Sequence, residues 1–121
     1  MDLVLLSVLA LVAAGGFLGG LARWGFLQVL PERPAIFASN LIACALAGLA
    51  AGLGLGIFWL AALVAGFAGG LSTWSTLAKQ CGQLLKARRW KTVSIYLAFT
   101  LAIGVLAAGR CFMWGQSIAA F

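Results

Sequence analysis

The side chains that stand out for chemistry are Arg23, Asn40, Ser72, Thr73, Ser75, Thr76, Thr100 and Arg110, each set in or beside an apolar run. Four of the hydroxyls crowd into Ser72-Thr73-Trp74-Ser75-Thr76, directly after the glycine pair Gly69-Gly70. Neither serine nor threonine has a base to activate it, because the chain has no histidine and its acids are Asp2 and Glu32. Nucleophilic catalysis needs such a base, so the pattern argues against an enzyme. Cys44, Cys81 and Cys111 lie far apart, form no CxxC pair and read as packing residues, not as metal ligands. What remains is a set of neutral hydrogen-bond donors with two cations, which suits an anion better than a proton or a metal.

These residues have to be positioned by helices in a bilayer. The chain has 121 residues, 64% of them hydrophobic, and a mean hydropathy of +1.13, too apolar for a small soluble core. A crossing needs about 20 apolar residues, so the length accommodates four crossings, at about 3–30, 35–56, 57–78 and 93–114, in one domain over 1–121. The boundaries are Pro31-Glu32-Arg33-Pro34, the glycines Gly52, Gly54 and Gly56, and a basic connector holding Lys79, Lys86, Arg88, Arg89 and Lys91. The first run begins at Asp2 with no basic stretch and exceeds a signal-peptide core, so it is read as a retained helix.

The formal charge of +6 sits mainly in short loops, where membrane orientation explains it better than nucleic acid does. Arg33, Lys79, Lys86, Arg88, Arg89 and Lys91 fall on the loop side and Arg110 on the terminal side. The loops are therefore expected in the cytoplasm and both termini outside, in the plasma membrane. Trp24, Trp59, Trp90 and Trp114 lie near segment ends, where an indole suits the headgroup layer. Gly16 and Gly20, Gly48 and Gly52, and Gly66 and Gly70 recur four apart, a spacing that lets helix backbones meet closely within or between subunits.

In Gly66-Phe-Ala-Gly-Gly-Leu-Ser-Thr-Trp-Ser-Thr-Leu77 the glycines precede the hydroxyls, so the third helix is expected to break near midplane and expose backbone groups under the cover of protein. Each polar residue also has a plainer reading: back-bonding along the helix for the hydroxyls, interhelical adhesion for Asn40, and snorkelling to the interface for Arg23. A proton-coupled exporter of the small multidrug type would need a carboxylate within the membrane, and the apolar runs hold none.

The order and content of these motifs resemble the Fluc (CrcB) family of small fluoride channels, four-helix subunits that assemble as antiparallel dimers. The resemblance spans nearly the whole chain. It rests on Gly15-Gly16-Phe-Leu-Gly19-Gly20-Leu-Ala-Arg23-Trp24, on Ala38-Ser-Asn40 through Gly48, and on Gly66 through Leu77. It implies an all-α membrane fold whose third helix is broken, and passive export of fluoride that protects against its toxicity. Asn40, Ser75, Thr76 and Thr100 would be donors along the fluoride pathway, Trp74 its aromatic member and Arg23 a cation at the cytoplasmic vestibule. It further implies a structural sodium ion at the dimer centre, held by backbone carbonyls near Gly69 and Ser72. Fluoride sheds water only where compact donors replace it, and hydroxyls, an amide and positive ring edges can do so.

The chain departs from the family at three places. Trp74 and Leu77 stand where the family carries paired phenylalanines, and Gln80 where a glutamate is usual. The basic bias of the loops favours one insertion direction, which points to an oppositely oriented homologue as partner in place of an antiparallel homodimer. Three readings follow: a channel sufficient by itself, a largely structural partner subunit of a heterodimeric channel, and the less supported proton-coupled exporter.

Overall fold

The computed structural model describes residues 2–121. Helix α1, Leu3–Val29, starts on Asp2, whose carboxylate accepts from the Val4 N–H at 3.3 Å and so caps the orphan donors of the first turn. Leu30 and Pro31 are extended, and α2 then runs over Glu32–Gly52. Pro34 falls in its first turn, where a missing N–H has no intrahelical partner to lose. A short turn with Gly54 at φ +67 leads into the third crossing.

That crossing, 57–86, is in two pieces. The first, α3, spans 57–71 and contains a π-helical stretch over Ala61–Ala68, in which the Gly69 N–H reaches back to the Val64 carbonyl. Long π stretches are rare and concentrate at functional sites. Ser72 and Thr73 are extended, and the second piece, α4, resumes over Trp74–Lys86. The last helix, α5, is Trp90–Ala119.

Both α4 and α5 extend past the hydropathy-based segments 57–78 and 93–114, which leaves only 87–89 as connector. Hydropathy fades where a helix leaves the apolar layer, but Lys, Gln and Leu are good helix formers and carry the winding further. The α4 terminus is a Schellman motif, with the Arg89 N–H on the Leu84 carbonyl at 2.9 Å and the Arg88 N–H on the Leu85 carbonyl at 3.0 Å. Arg88 occupies the left-handed position that glycine usually fills, at φ 57.

Two backbone seams organise the bundle. A methyl group added at Gly15 would lie 2.2 Å from the Ala62 carbonyl oxygen, and one at Gly19 2.2 Å from that of Phe67, so α1 and α3 pack main chain to main chain. Gly48 and Gly52 likewise meet the carbonyls of Ala108 and Phe112, which joins α2 to α5. Gly16 joins this seam as expected, a methyl group added at Gly70 lying 2.5 Å from its carbonyl oxygen, but Gly20 does not: an added methyl there meets nothing within 4 Å, and Gly19 takes its place. Gly15 and Gly19 are spaced as Gly16 and Gly20 are, so periodicity alone does not choose between Gly19 and Gly20.

The buried core is small. Ala43, Ala68 and Leu71 form one cluster and Leu77, Cys81, Leu84 and Val93 another. Ala35, Ile36, Ala50 and Ala61 are buried as well, but many large apolar side chains, including Phe17, Trp59, Phe99 and Val105, are exposed. Only 11% of the most hydropathic window of α1, and the same of α5, is buried within the subunit. A soluble chain would not leave such a surface in water. Four crossings are long and apolar enough to span a membrane, and the chain is a multi-pass membrane protein.

Candidate functional site

The site is built around the two extended residues that break the third crossing. Their main chain cannot complete a helical ladder, and in hydrocarbon each unpaired group is costly. All four polar groups are nevertheless satisfied. The Ser72 N–H reaches the Ala68 carbonyl at 2.9 Å, and the Ser72 carbonyl accepts from Arg23 Nη1 at 3.2 Å. The Thr73 N–H donates to Asn40 Oδ1 at 2.7 Å, and the Thr73 carbonyl accepts from Asn40 Nδ2 at 3.3 Å. One amide on α2 thus serves as a hydrogen-bonding partner for both faces of Thr73, and one guanidinium on α1 completes Ser72.

Thr73 is also the N-cap of α4. Its hydroxyl accepts from the Thr76 N–H at 3.3 Å, donates to Thr76 Oγ1 at 3.2 Å and lies 3.4 Å from Ser75 Oγ. The cap satisfies a free donor of the first turn of α4 and gathers three hydroxyls at a helix N-terminus, where partial positive charge favours anions.

Beside the break is a cavity of about 270 Å3, lined by Asn40, Ser72, Thr73, Trp74 and Thr100 together with Phe37, Leu41, Cys44, Leu77 and neighbours on α5. Thr100 Oγ1 is buried there without a hydrogen-bond partner. A larger cavity of about 970 Å3 opens at the loop end, between the start of α2, α4 and the start of α5. Arg33, Arg89, Gln83, Thr92 and the acid Glu32 are polar residues of its wall, as are Gln80 and Tyr96. The Tyr96 hydroxyl donates to Gln80 Oε1 at 2.5 Å, while the buried Gln80 Nε2 has no partner. Phe37 borders both cavities and stacks on Phe99, with ring centroids 5.5 Å apart.

Of the residues singled out in the sequence, Asn40, Trp74 and Thr100 meet around the smaller cavity. Ser75 and Thr76 attach to the Thr73 hydroxyl on the first turn of α4 and are not in that lining. Arg23 lines neither cavity; its guanidinium is at the break, on Ser72. Thr73, singled out in the sequence as one of the clustered hydroxyls, serves as the cap, three residues before the hydroxyl it faces. Two contributors went unremarked: Phe37 and Tyr96 sit in apolar runs that give no sign of cavity lining.

The carbonyls that the resemblance assigns to sodium lie at the C-terminal end of α3, where helix carbonyls lack partners and carry partial negative charge. Gly69 is exposed on the subunit surface, and its carbonyl accepts from Ser72 Oγ at 3.4 Å. Neutral oxygens of this kind suit a hard monovalent cation, and the Ser72 carbonyl already accepts from a cationic donor.

Residues 10–112 match the family described as CrcB-like protein, Camphor Resistance (CrcB). Among similar proteins, "Fluoride-specific ion channel FluC 2" of Corynebacterium diphtheriae is 40% identical over 90 residues, covering 74% of this chain and 84% of the relative. A protein of the same name from Bacillus thuringiensis subsp. konkukian is 34% identical over 104 residues, 81% of this chain and 88% of its own. "Fluoride-specific ion channel FluC" of Ignicoccus hospitalis is 32% identical over 109 residues, 84% and 89% respectively. With a matched segment running from α1 into α5 and relatives of this similarity over most of their length, the chain belongs to the CrcB family.

Proposed function

We propose that this chain is a subunit of a fluoride-selective channel that lets fluoride leave the cytoplasm passively and so limits its toxicity. The observation that carries the proposal is the pair of adjoining cavities that share Phe37: a basic mouth at the loop end leads past the Gln80–Tyr96 pair to donors beside the helix break. The names of the relatives supply the ion.

The wall chemistry fits a small, strongly hydrated anion. Arg33 and Arg89 outnumber Glu32 at the mouth, and the net positive charge raises the local anion concentration there. Further in, donors are neutral: the unpartnered Gln80 Nε2, the second N–H of the Asn40 amide, and the Thr100 hydroxyl. Neutral donors replace hydration without holding the ion too tightly to release, which conduction requires. Phe37, Phe99 and Trp74 present ring edges, whose positive quadrupole offers weak anion contacts. Ser75 and Thr76 act through the Thr73 cap, and Arg23 through Ser72.

A lone subunit leaves this track open on one side, with Trp74 72% exposed, so a second subunit closes it. An antiparallel pair would bring two copies of the exposed α3 carbonyl end together, and Gly69 and Ser72 of each would hold a sodium ion between them. The loop cations favour the cytoplasmic side for the loops and the outside for the termini. A second reading, an obligate pair with an oppositely oriented homologue, is favoured by that one-sided charge and by relatives whose names are numbered, such as "FluC 3" of Bifidobacterium longum.

The deciding experiment is fluoride efflux from liposomes holding only the purified chain, followed with a fluoride electrode and repeated with chloride. Rapid efflux selective for fluoride supports the self-sufficient channel. Efflux only after adding a homologue from the same organism supports the obligate pair, and silence in both refutes the assignment.

A further inference from the structure

We infer that Arg23 is a tethered cation of the helix break, and that its charge sets how much free sodium the assembled protein needs. The inference rests on the proposed sodium site at Gly69 and Ser72. Arg23 Nη1 donates to the Ser72 carbonyl at 3.2 Å, the same oxygen proposed as a sodium ligand. The other polar groups of the break are taken by Ala68 and Asn40, so the guanidinium completes the set.

The charge of Arg23 is not cancelled locally. The two acids of the chain, Asp2 and Glu32, cap or begin helices, and neither shares a hydrogen bond with it. The guanidinium finds its stabilisation in carbonyls at the negative end of α3. A carbonyl oxygen has two lone pairs and can accept a guanidinium and a metal ion together. Two unit charges sharing one oxygen repel, and at an effective dielectric of about 20 that repulsion weakens the mobile ion by about a hundredfold. Arg23 therefore does two opposed things: it stabilises the break when sodium is absent, and it lowers the affinity for sodium when sodium is present.

The test is thermal melting of the purified full chain as a function of sodium, at constant ionic strength with N-methyl-D-glucamine as the replacement. Arg23→Gln is expected to melt below the wild type without sodium and to respond to sodium at a midpoint concentration about a hundredfold lower, because an ion that binds the folded state stabilises it once its concentration exceeds the dissociation constant. Arg23→Lys, which keeps the charge but loses the planar fork, is expected to keep the wild-type midpoint. A constant deficit for Arg23→Gln at every sodium concentration, with the wild type still responsive, overturns the inference and leaves Arg23 a mere strut. If Arg23→Gln does not fold, a tenfold lower midpoint in Arg23→Lys overturns it as well. A wild type indifferent to sodium removes the sodium site and this inference together, while fluoride efflux, measured separately, reports on the channel reading alone.

Discussion

Asn40 and Thr73 exchange two hydrogen bonds across the helix break, Oδ1 accepting from the Thr73 N–H at 2.7 Å and Nδ2 donating to the Thr73 carbonyl at 3.3 Å. A side-chain amide offers a donor and an acceptor side by side without carrying charge. Asn40 is therefore both the clamp of the break and a wall residue of the cavity beside it.

Asn40→Asp tests both roles. The carboxylate turns a donor into an acceptor facing the Thr73 carbonyl and places a negative charge in the anion route. Loss of the buried bond costs about 1–3 kcal/mol, read as a lower melting temperature, and fluoride efflux is abolished. Efflux at the wild-type rate would remove Asn40 from the pathway.

The registers of α1 and α3 give a paired prediction. Gly19→Ala drives a methyl group against the Phe67 carbonyl at 2.2 Å and forces two backbones apart, at a cost of about 1–3 kcal/mol. Gly20→Ala meets nothing within 4 Å in the subunit, and its melting temperature stays at or slightly above the wild type. Equal destabilisation by both would show that the seam is not where the structure has it.

How much of this was legible beforehand differs by residue. Gly66 through Thr76 announced a broken helix, because glycines followed by clustered hydroxyls weaken a helix where side chains can recapture its main chain. The partners of that main chain were not legible: nothing in the spacing of Arg23 and Asn40 says that one reaches Ser72 and the other Thr73, since those contacts depend on how three helices cross. Gly19 and Gly20 are equivalent by composition, and only packing separates them. The ends of α4 and α5 escaped because hydropathy marks the edge of the apolar layer and not the end of a helix.

Phe37 offers an aromatic test of the route. Leu77 lacks a ring edge where the family has phenylalanine, whereas Phe37 borders both cavities and is braced by Phe99. Phe37→Leu keeps an apolar side chain but removes the ring edge and the stack on Phe99, a pair worth about 0.5–1.5 kcal/mol, so fluoride efflux is expected to fall together with a modest drop in melting temperature. Unchanged efflux would place the ion away from this pair.

Arg88 offers a stability test outside the route. It holds the left-handed position of the Schellman motif that ends α4, at φ 57, where a Cβ crowds the following carbonyl. Arg88→Gly relieves that crowding, which is worth about 1–2 kcal/mol, although glycine gives back part of the gain through its greater freedom in the unfolded chain. The expected net result is a modest rise in melting temperature, with fluoride efflux unchanged because Arg88 is absent from the lining of the basic mouth that Arg33 and Arg89 share. A fall in melting temperature would mean that the Arg88 side chain makes a stabilising contact with lipid or a second subunit, and a fall in efflux would extend the basic mouth by one more cation.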